Sequence, residues 1–379
     1  IYILRDITHP ASLSDPTYAT QYVYDQLGRI TTSTNPDGST ISYIYDANGQ
    51  VLSTTNELGN TVSYTYDANG RVTSMTDAMG GVTTYTYDAK GNVTSTTDPI
   101  GYVTSYTYNG NNAVASVTDP AGGVVTYAYN ANGQVASVTD AMGGVTSYTY
   151  DAAGNQKSVT DAEGNTITYT YDALNRVSQI EDARGNTWSY EYDAEGNLTE
   201  ETDPLRHSAS KSYDALGQLV SETDRNGNTT TYTYDADGRM ASMTDPLGNT
   251  TIYAYDANGN LVKETTPLGR ETEYAYDNMD RMTTQTDPMD HVVTFYYDAL
   301  GQVIGMTNKD GTQVAYTYDA NGNNLTVTDE EGYVVTYTYD ADNRITKVNN
   351  ARGYDTLYEY DSLGNITKVT DAMNGITSY

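Results

Sequence analysis

The chain has 379 residues, no cysteine, and 50 Asp and Glu against 19 Lys and Arg, for a formal net charge of −31 at pH 7. That charge repels a phosphate backbone and an anionic bilayer surface, which argues against nucleic acid or membrane as partners, and the missing cysteine excludes disulfides and thiolate metal centres. No run of 18 apolar residues is present, and the abundance of Tyr, Val, Thr, Gly and Asp points to strands and turns with no helical period.

Residues 1–16 show no internal pattern and read as an irregular lead-in, without the basic, apolar and small-residue succession of an export signal. From residue 17 to 379 the chain reads as one continuous array. Its beat is Tyr-Asp, first at Tyr24-Asp25, then at Tyr45, Tyr66, Tyr87 and onward to Tyr360, seventeen tyrosines spaced by 21 residues without exception. A fixed period of this size marks a repeat architecture. The array stops at Tyr379, inside a repeat, which suggests a piece of a longer protein.

Within each unit the elements come in a constant order. A Tyr-x-Tyr strand, as at Tyr64 and Tyr66, puts two rings on one face. Asp-Ala-x-Gly follows, as at Asp67–Gly70. Four residues past the tyrosine the residue is Gly in 13 of 17 repeats and otherwise Asn112, Asn175, Asp280 or Asn343, the residue types that best tolerate a left-handed backbone. A second strand starts two residues later, where 15 of 17 repeats are aliphatic and Gln156 and Asn324 depart. The unit closes with Thr-Asp-Pro-x-Gly, as at Thr244–Gly248, the chemistry of a type I turn followed by a left-handed glycine.

Each repeat is therefore expected to be one antiparallel hairpin. A three-residue loop closed by a glycine bulge would set each tyrosine opposite the aliphatic six residues on. Because 21 is odd, two identical turns would flip the next tyrosine pair to the other face, so either the return loop is longer or one strand carries a bulge. A β-helix with one coil per repeat is the competing geometry. It would stack the aspartates at about 4.8 Å, whereas a meander separates them by about 9.6 Å, near the Debye length, and the charge favours the meander. Some 34 strands exceed what an open twisted sheet sustains, and no helix is available to cover it. The expected fold is all-β: an antiparallel hairpin meander of 21-residue repeats rolled into a spiral hollow shell or tube.

The segment "YTYDADGRMASMTDPLG" at Tyr232–Gly248 carries Tyr-x-Tyr-Asp-x-x-Gly-Arg-aliphatic and then Asp-x-x-Gly, and through it the chain resembles the RHS, or YD, repeats over about residues 17 to 379. The resemblance implies a β-sheet shell of the kind found in bacterial polymorphic toxins, insecticidal toxin complexes and wall-associated proteins, and more distantly in teneurins. It implies export to the extracellular space or cell surface. The partners it suggests are an enclosed or C-terminally linked polypeptide cargo, a toxin among them, or self-association into a filament. A cell-surface adhesin that reads glycans through its tyrosines is the alternative. The distinct core segment with which such bacterial shells end is not recognisable here, so no proteolytic residue is carried over.

No catalytic, cofactor-binding or metal-binding residue is assigned. The tyrosine rows read as a structural ladder that replaces a core. The aspartates of one repeat, such as Asp67 and Asp77, fall at opposite ends of a strand, too far apart to share an ion, and are expected to accept N–H groups of their own turns. His9, His207 and His291 lie in irregular stretches with no nucleophile motif beside them. Arg206 and Lys211, which replace a turn glycine and a strand tyrosine next to His207, read as drift within the repeat. Seventeen near-identical surroundings give no unique constellation for an enzyme.

Overall fold

A computed structural model describes residues 3–5 and 19–379 of the chain. Among them are 36 strands in one antiparallel sheet and no helix. Each strand pairs with the strands immediately before and after it in sequence, so the array is a continuous meander. The one-coil geometry is thereby excluded. Of the expected lead-in, Ile3–Arg5 forms a strand against Gln21–Val23; the rest, including His9, lies outside the described residues.

The repeat is regular to the residue. A six-residue tyrosine strand such as Thr61–Tyr66 is followed by a five-residue return strand such as Val72–Thr76. Both connecting turns have the same construction. Gly70 N–H donates to Asp67 O and Asp67 N–H to Arg71 O; in the return turn Gly80 N–H donates to Asp77 O and Asp77 N–H to Gly81 O. The closing residue is left-handed at both places. Asn112, Asn175, Asp280 and Asn343, which stand in for glycine after Tyr-Asp, have φ of 62°, 62°, 58° and 61°, and Arg206 takes the same conformation in its return turn at 68°.

Identical turns in an odd-length repeat require one strand to absorb a residue. Tyr66 faces Val72 as expected, but Thr65 faces Ser74, so Thr73 is extra. The hydroxyls of Thr73 and Ser74 both contact Thr65 Oγ1, at 2.8 and 2.6 Å, which places both residues on one face. This bulge recurs in all seventeen hairpins and keeps every tyrosine pair on a common side.

One face is thus lined with tyrosine rings and the other with threonine and serine hydroxyls paired across strands, as at Thr107–Ser116 and Thr233–Ser242. Neither face requires a second layer. Among the described residues only Ala19 and Ser33 are buried, and strands contact only their sequence neighbours. The wall is one sheet thick.

The ribbon nevertheless closes on itself. Asn278 Nδ2 donates to Pro36 O at 2.9 Å, and Asn321 Nδ2 to Asp77 Oδ2 at 3.0 Å, across 242 and 244 residues of sequence. At 21 residues per repeat that interval is about 11.5 repeats, or about 23 strands, per winding. With strands about 4.8 Å apart, the circumference is about 110 Å and the diameter about 35 Å. The half-integer has a simple meaning: the Tyr-Asp turns of one winding meet the Asp-Pro turns of the winding before. Contact between windings runs through turns, and the opposite walls do not touch.

Candidate functional site: the rims and the seam between windings

The bulge that keeps the faces in register also leaves a backbone group without a strand partner. The ladder from Val72–Thr76 to the next strand ends at the Ser74–Thr84 pair, so the Val72 carbonyl lies beyond it. Tyr87 Oη donates to that oxygen at 2.6 Å. The same bond, from each Tyr-Asp tyrosine to the carbonyl fifteen residues earlier, runs from Tyr45 to Tyr360. The period-two tyrosine two residues earlier has no such fixed task. Desolvation of the phenol, the largest cause, raises the pKa of Tyr87 above its ordinary value.

The neighbouring aspartate organises the rim. Asp67 Oδ1 accepts the N–H groups of Asn69 and Arg71 at 2.9 and 3.0 Å, as the sequence suggested. Oδ2 takes Arg71 Nε at 2.7 Å, while Arg71 Nη1 donates to Asp88 O of the next repeat at 3.0 Å and its guanidinium lies 4.7 Å from the Tyr87 ring centre. One arginine thereby ties two repeats through an ion pair, a hydrogen bond and a cation–π contact. Arg29, Arg176, Arg239 and Arg281 repeat the arrangement. Elsewhere Asn or Gln does a part of it: Asn92 Nδ2 reaches Asp88 Oδ2 at 2.9 Å and Gln134 Nε2 reaches Gly154 O at 3.0 Å. The Arg71 hydrogen bonds hold the Asp67 carboxyl below the ordinary aspartate range.

The histidines fall into the same scheme. His207 Nδ1 lies 3.3 Å from Asp203 Oδ2 and His291 Nδ1 2.9 Å from Asp287 Oδ2, each in its own return turn. The Asp287 pKa is lowered to about 2, chiefly by the His291 side chain. No group of three or more His, Cys, Asp or Glu able to hold a metal ion occurs among the described residues.

The sequence reading missed two features. Around the Lys211 substitution the tyrosine face turns polar: Arg225 pairs with Glu201, and Tyr232 Oη donates to Glu222 Oε1 at 2.7 Å. Glu201 and Glu222 occupy the return-strand position that is Met75 or Val117 elsewhere, a substitution visible in the sequence but without meaning until register is known. The second feature is the seam. Arg281 Nη2 lies 3.7 Å from Asp37 Oδ2, and burial first, with the Asp98 charge second, raises the Asp342 pKa above the ordinary aspartate value. A chamber of about 630 Å³ opens between the windings, lined by Tyr64, Met75 and Asp77 of the first and Asn321, Asp342 and Asn343 of the second. Its traces in the sequence were the turns without glycine at Asp277-Asn278-Met279-Asp280-Arg281 and Asp340-Ala341-Asp342-Asn343-Arg344.

Comparison with known proteins agrees with this architecture. A teneurin YD-shell model matches residues 122–249, and an RHS Repeat model matches 45–80, 66–99, 87–124, 255–288, 297–329, 320–355 and 339–375, the RHS Repeat matches alone covering just over half of the chain. No curated protein sequence matches. Among solved structures the chain is similar to TcdB2-TccC3-TEV, with a TM-score of 0.73 at 16% identity, covering 97% of this chain and 24% of that one. TcdB2-TccC3-Cdc42 gives 0.70 at 16% identity over 95% of this chain and 26% of that one, and TcdB2-TccC3 without its hypervariable C-terminal region gives 0.63 at 17% identity over 97% and 23%. The chain spans about a quarter of the length of those proteins, and at such identities the likeness is one of fold. Regular period, hairpin register and family matches converge: the chain belongs to the RHS-repeat family.

Proposed function

We propose that this chain is wall: a non-enzymatic segment of an exported RHS shell or tube that encloses or displays a polypeptide, a toxin being one candidate cargo, or that continues as a surface filament. The observation that carries the reading is a single-layer sheet that winds without collapsing. A sheet with a greasy face would fold onto itself, whereas this one leaves nearly every residue at least partly exposed and joins its windings through turns alone. Taking about 10 Å for the thickness of the wall, the bore is about 25 Å across, room for an extended chain or a very small domain. The structures similar in fold include TcdB2-TccC3-TEV, TcdB2-TccC3-Cdc42 and TcdB2-TccC3 without its hypervariable C-terminal region, which fits a wall that tolerates different passengers.

The glycan-reading alternative receives less support, because the hydroxyls of the Tyr-Asp column are engaged by backbone carbonyls. Limited proteolysis of the full-length gene product tests the container role. The enclosed polypeptide is expected to survive protease that digests its free form; cutting at equal rates in both refutes the proposal.

A further inference from the structure

Along the Tyr-Asp rim, the residue that follows one turn's closing position and the residue that closes the next turn do not vary independently. Each closing residue that is not glycine, Asn112, Asn175, Asp280 or Asn343, comes directly behind a repeat with asparagine in that following place: Asn92, Asn155, Asn260 or Asn323. Asparagine stands there at five of the sixteen boundaries between consecutive repeats; at the other eleven it is Arg, Gln or Ala, and all eleven are followed by glycine. The Asn197–Gly217 boundary alone departs from the pairing.

The reach of the side chains supplies the reason. Gln134 and Gln218 are long enough to donate to the backbone of the next turn, at the Gly154 and Gly238 carbonyls, both at 3.0 Å. A Cβ in place of Gly238 would lie 3.0 Å from Gln218 Nε2, and one in place of Gly70 3.0 Å from Gln50 Nε2, so a larger residue displaces the amide. Arg71 and Arg176 cross to the Asp88 and Asp193 carbonyls, at 3.0 and 2.9 Å, and each Nη1 would touch a Cβ at Gly91 or Gly196 from 3.9 Å. Asparagine is too short for either crossing, and it spends one amide proton within its own turn: Asn155 donates to Asp151 Oδ2 at 3.0 Å and Asn323 to Asp319 Oδ2 at 2.9 Å. The other proton reaches the next repeat where that repeat extends an acceptor. Asn175 Oδ1 receives Asn155 at 2.8 Å, Asp280 Oδ1 receives Asn260 at 2.7 Å and Asn343 Oδ1 receives Asn323 at 2.6 Å, while the Asn92–Asn112 contact is longer, at 3.5 Å. Because the closing position is left-handed, Asn and Asp are the acceptor-bearing side chains that it accommodates best.

We propose that the rim carries a neighbour code: the residue after a turn's closing position selects the closing residue of the following repeat, glycine behind Arg or Gln, and Asn or Asp behind Asn. The surface on which each repeat receives its successor is thereby specific, and the partner it fits is a second 21-residue hairpin of the matching class. A hairpin closed by Asn175 fits behind Asn155, whereas behind Gln134 it would displace the bond that glutamine makes to the next turn. In a repeat array stability is a sum of repeat terms and nearest-neighbour terms, so a rule at each boundary sets which orders of repeats make a sound wall. The code goes beyond the container reading and does not depend on what the wall encloses.

One substitution in two settings tests it. Gly217 and Gly238 have φ of 79° and 82°, so the backbone cost of asparagine is the same at both, and the preceding residue, Asn197 or Gln218, makes the difference. Native-state hydrogen exchange is read on Ser208–Tyr213 and Leu219–Thr223 for Gly217→Asn, and on Thr229–Tyr234 and Met240–Thr244 for Gly238→Asn. Exchange should rise about tenfold more in Gly238→Asn than in Gly217→Asn, since the first loses a hydrogen bond and the second gains one. Adding Gln218→Asn to Gly238→Asn recreates the Asn155–Asn175 pair and should return exchange most of the way to the parent rate, although Gln218→Asn alone accelerates it. Equal acceleration at the two glycines, or a double variant whose acceleration is the product of its two singles, overturns the code.

Discussion

Removing a single hydroxyl should reveal how the wall satisfies its own defect. In Tyr87→Phe the ring stays and the 2.6 Å bond to Val72 O is lost, leaving a carbonyl that the bulge has already placed beyond the strand ladder. A neutral hydroxyl–carbonyl bond contributes about 1 kcal/mol net, and an acceptor left without a partner in a half-buried position adds up to about 1 kcal/mol more, so the expected cost is about 1–2 kcal/mol. Tyr85→Phe, on the same strand and face, removes a hydroxyl with no partner in the structure and should cost less than about 0.5 kcal/mol. Because a repeat array does not melt as one unit, the assay is native-state hydrogen exchange rather than a single unfolding midpoint. Amides of Val72–Thr76 and Val82–Tyr87 should exchange about tenfold faster in Tyr87→Phe, with distant repeats unchanged. Equal effects of the two substitutions, or none from the first, would refute the assignment of the tyrosine hydroxyl to the bulge.

Other consequences are as direct. Arg206 holds φ of 68° where most return turns carry glycine and Asp290 and Asn374 are the other exceptions, so Arg206→Gly should stabilise its hairpin by about 1 kcal/mol and Gly227→Ala should destabilise the next by a similar amount, both measured by urea-dependent exchange. Asp287 should titrate near pH 2 by NMR, and His291→Ala should move that value toward the ordinary aspartate range. Since the pKa is depressed, the stabilising contact is complete above the ordinary aspartate pKa and is lost as pH falls through about 2. Deleting residues 151–171, one full repeat, should leave a cooperative β wall by circular dichroism, because the register and both turn types are preserved. Deleting 151–170 should disrupt it, since the loss of an even number of residues removes the tyrosine from its face.

Much of the fold was legible because it is local. The left-handed positions were marked by which residues replaced glycine, and all four substitutes adopt the backbone their identities implied. The need for a bulge followed from an odd period, and the structure puts it in the return strand, at Thr73 and its equivalents, with both turns alike. The spacing of like charges chose the meander over the coil, as the strand pairing shows. What the sequence did not reveal depends on accumulated twist. A few degrees per strand decide whether a winding takes 10 or 12 repeats, and no residue encodes that sum. The seam partners of Asp37 and Asp77 were therefore invisible, as was the task of the Tyr-Asp hydroxyl, which becomes clear only once the bulge has displaced a carbonyl.

The central claim is a wall one sheet thick that closes on itself through its turns. Electron microscopy of the full chain tests it most directly. The account predicts a hollow spiral of about 11.5 repeats per winding, with the turn at Asp277–Arg281 seated on the turn at Asn35–Ser39 and clear space between opposite walls. A flat ribbon, or two sheets packed face to face with tyrosines interleaved at about 10 Å, would contradict it.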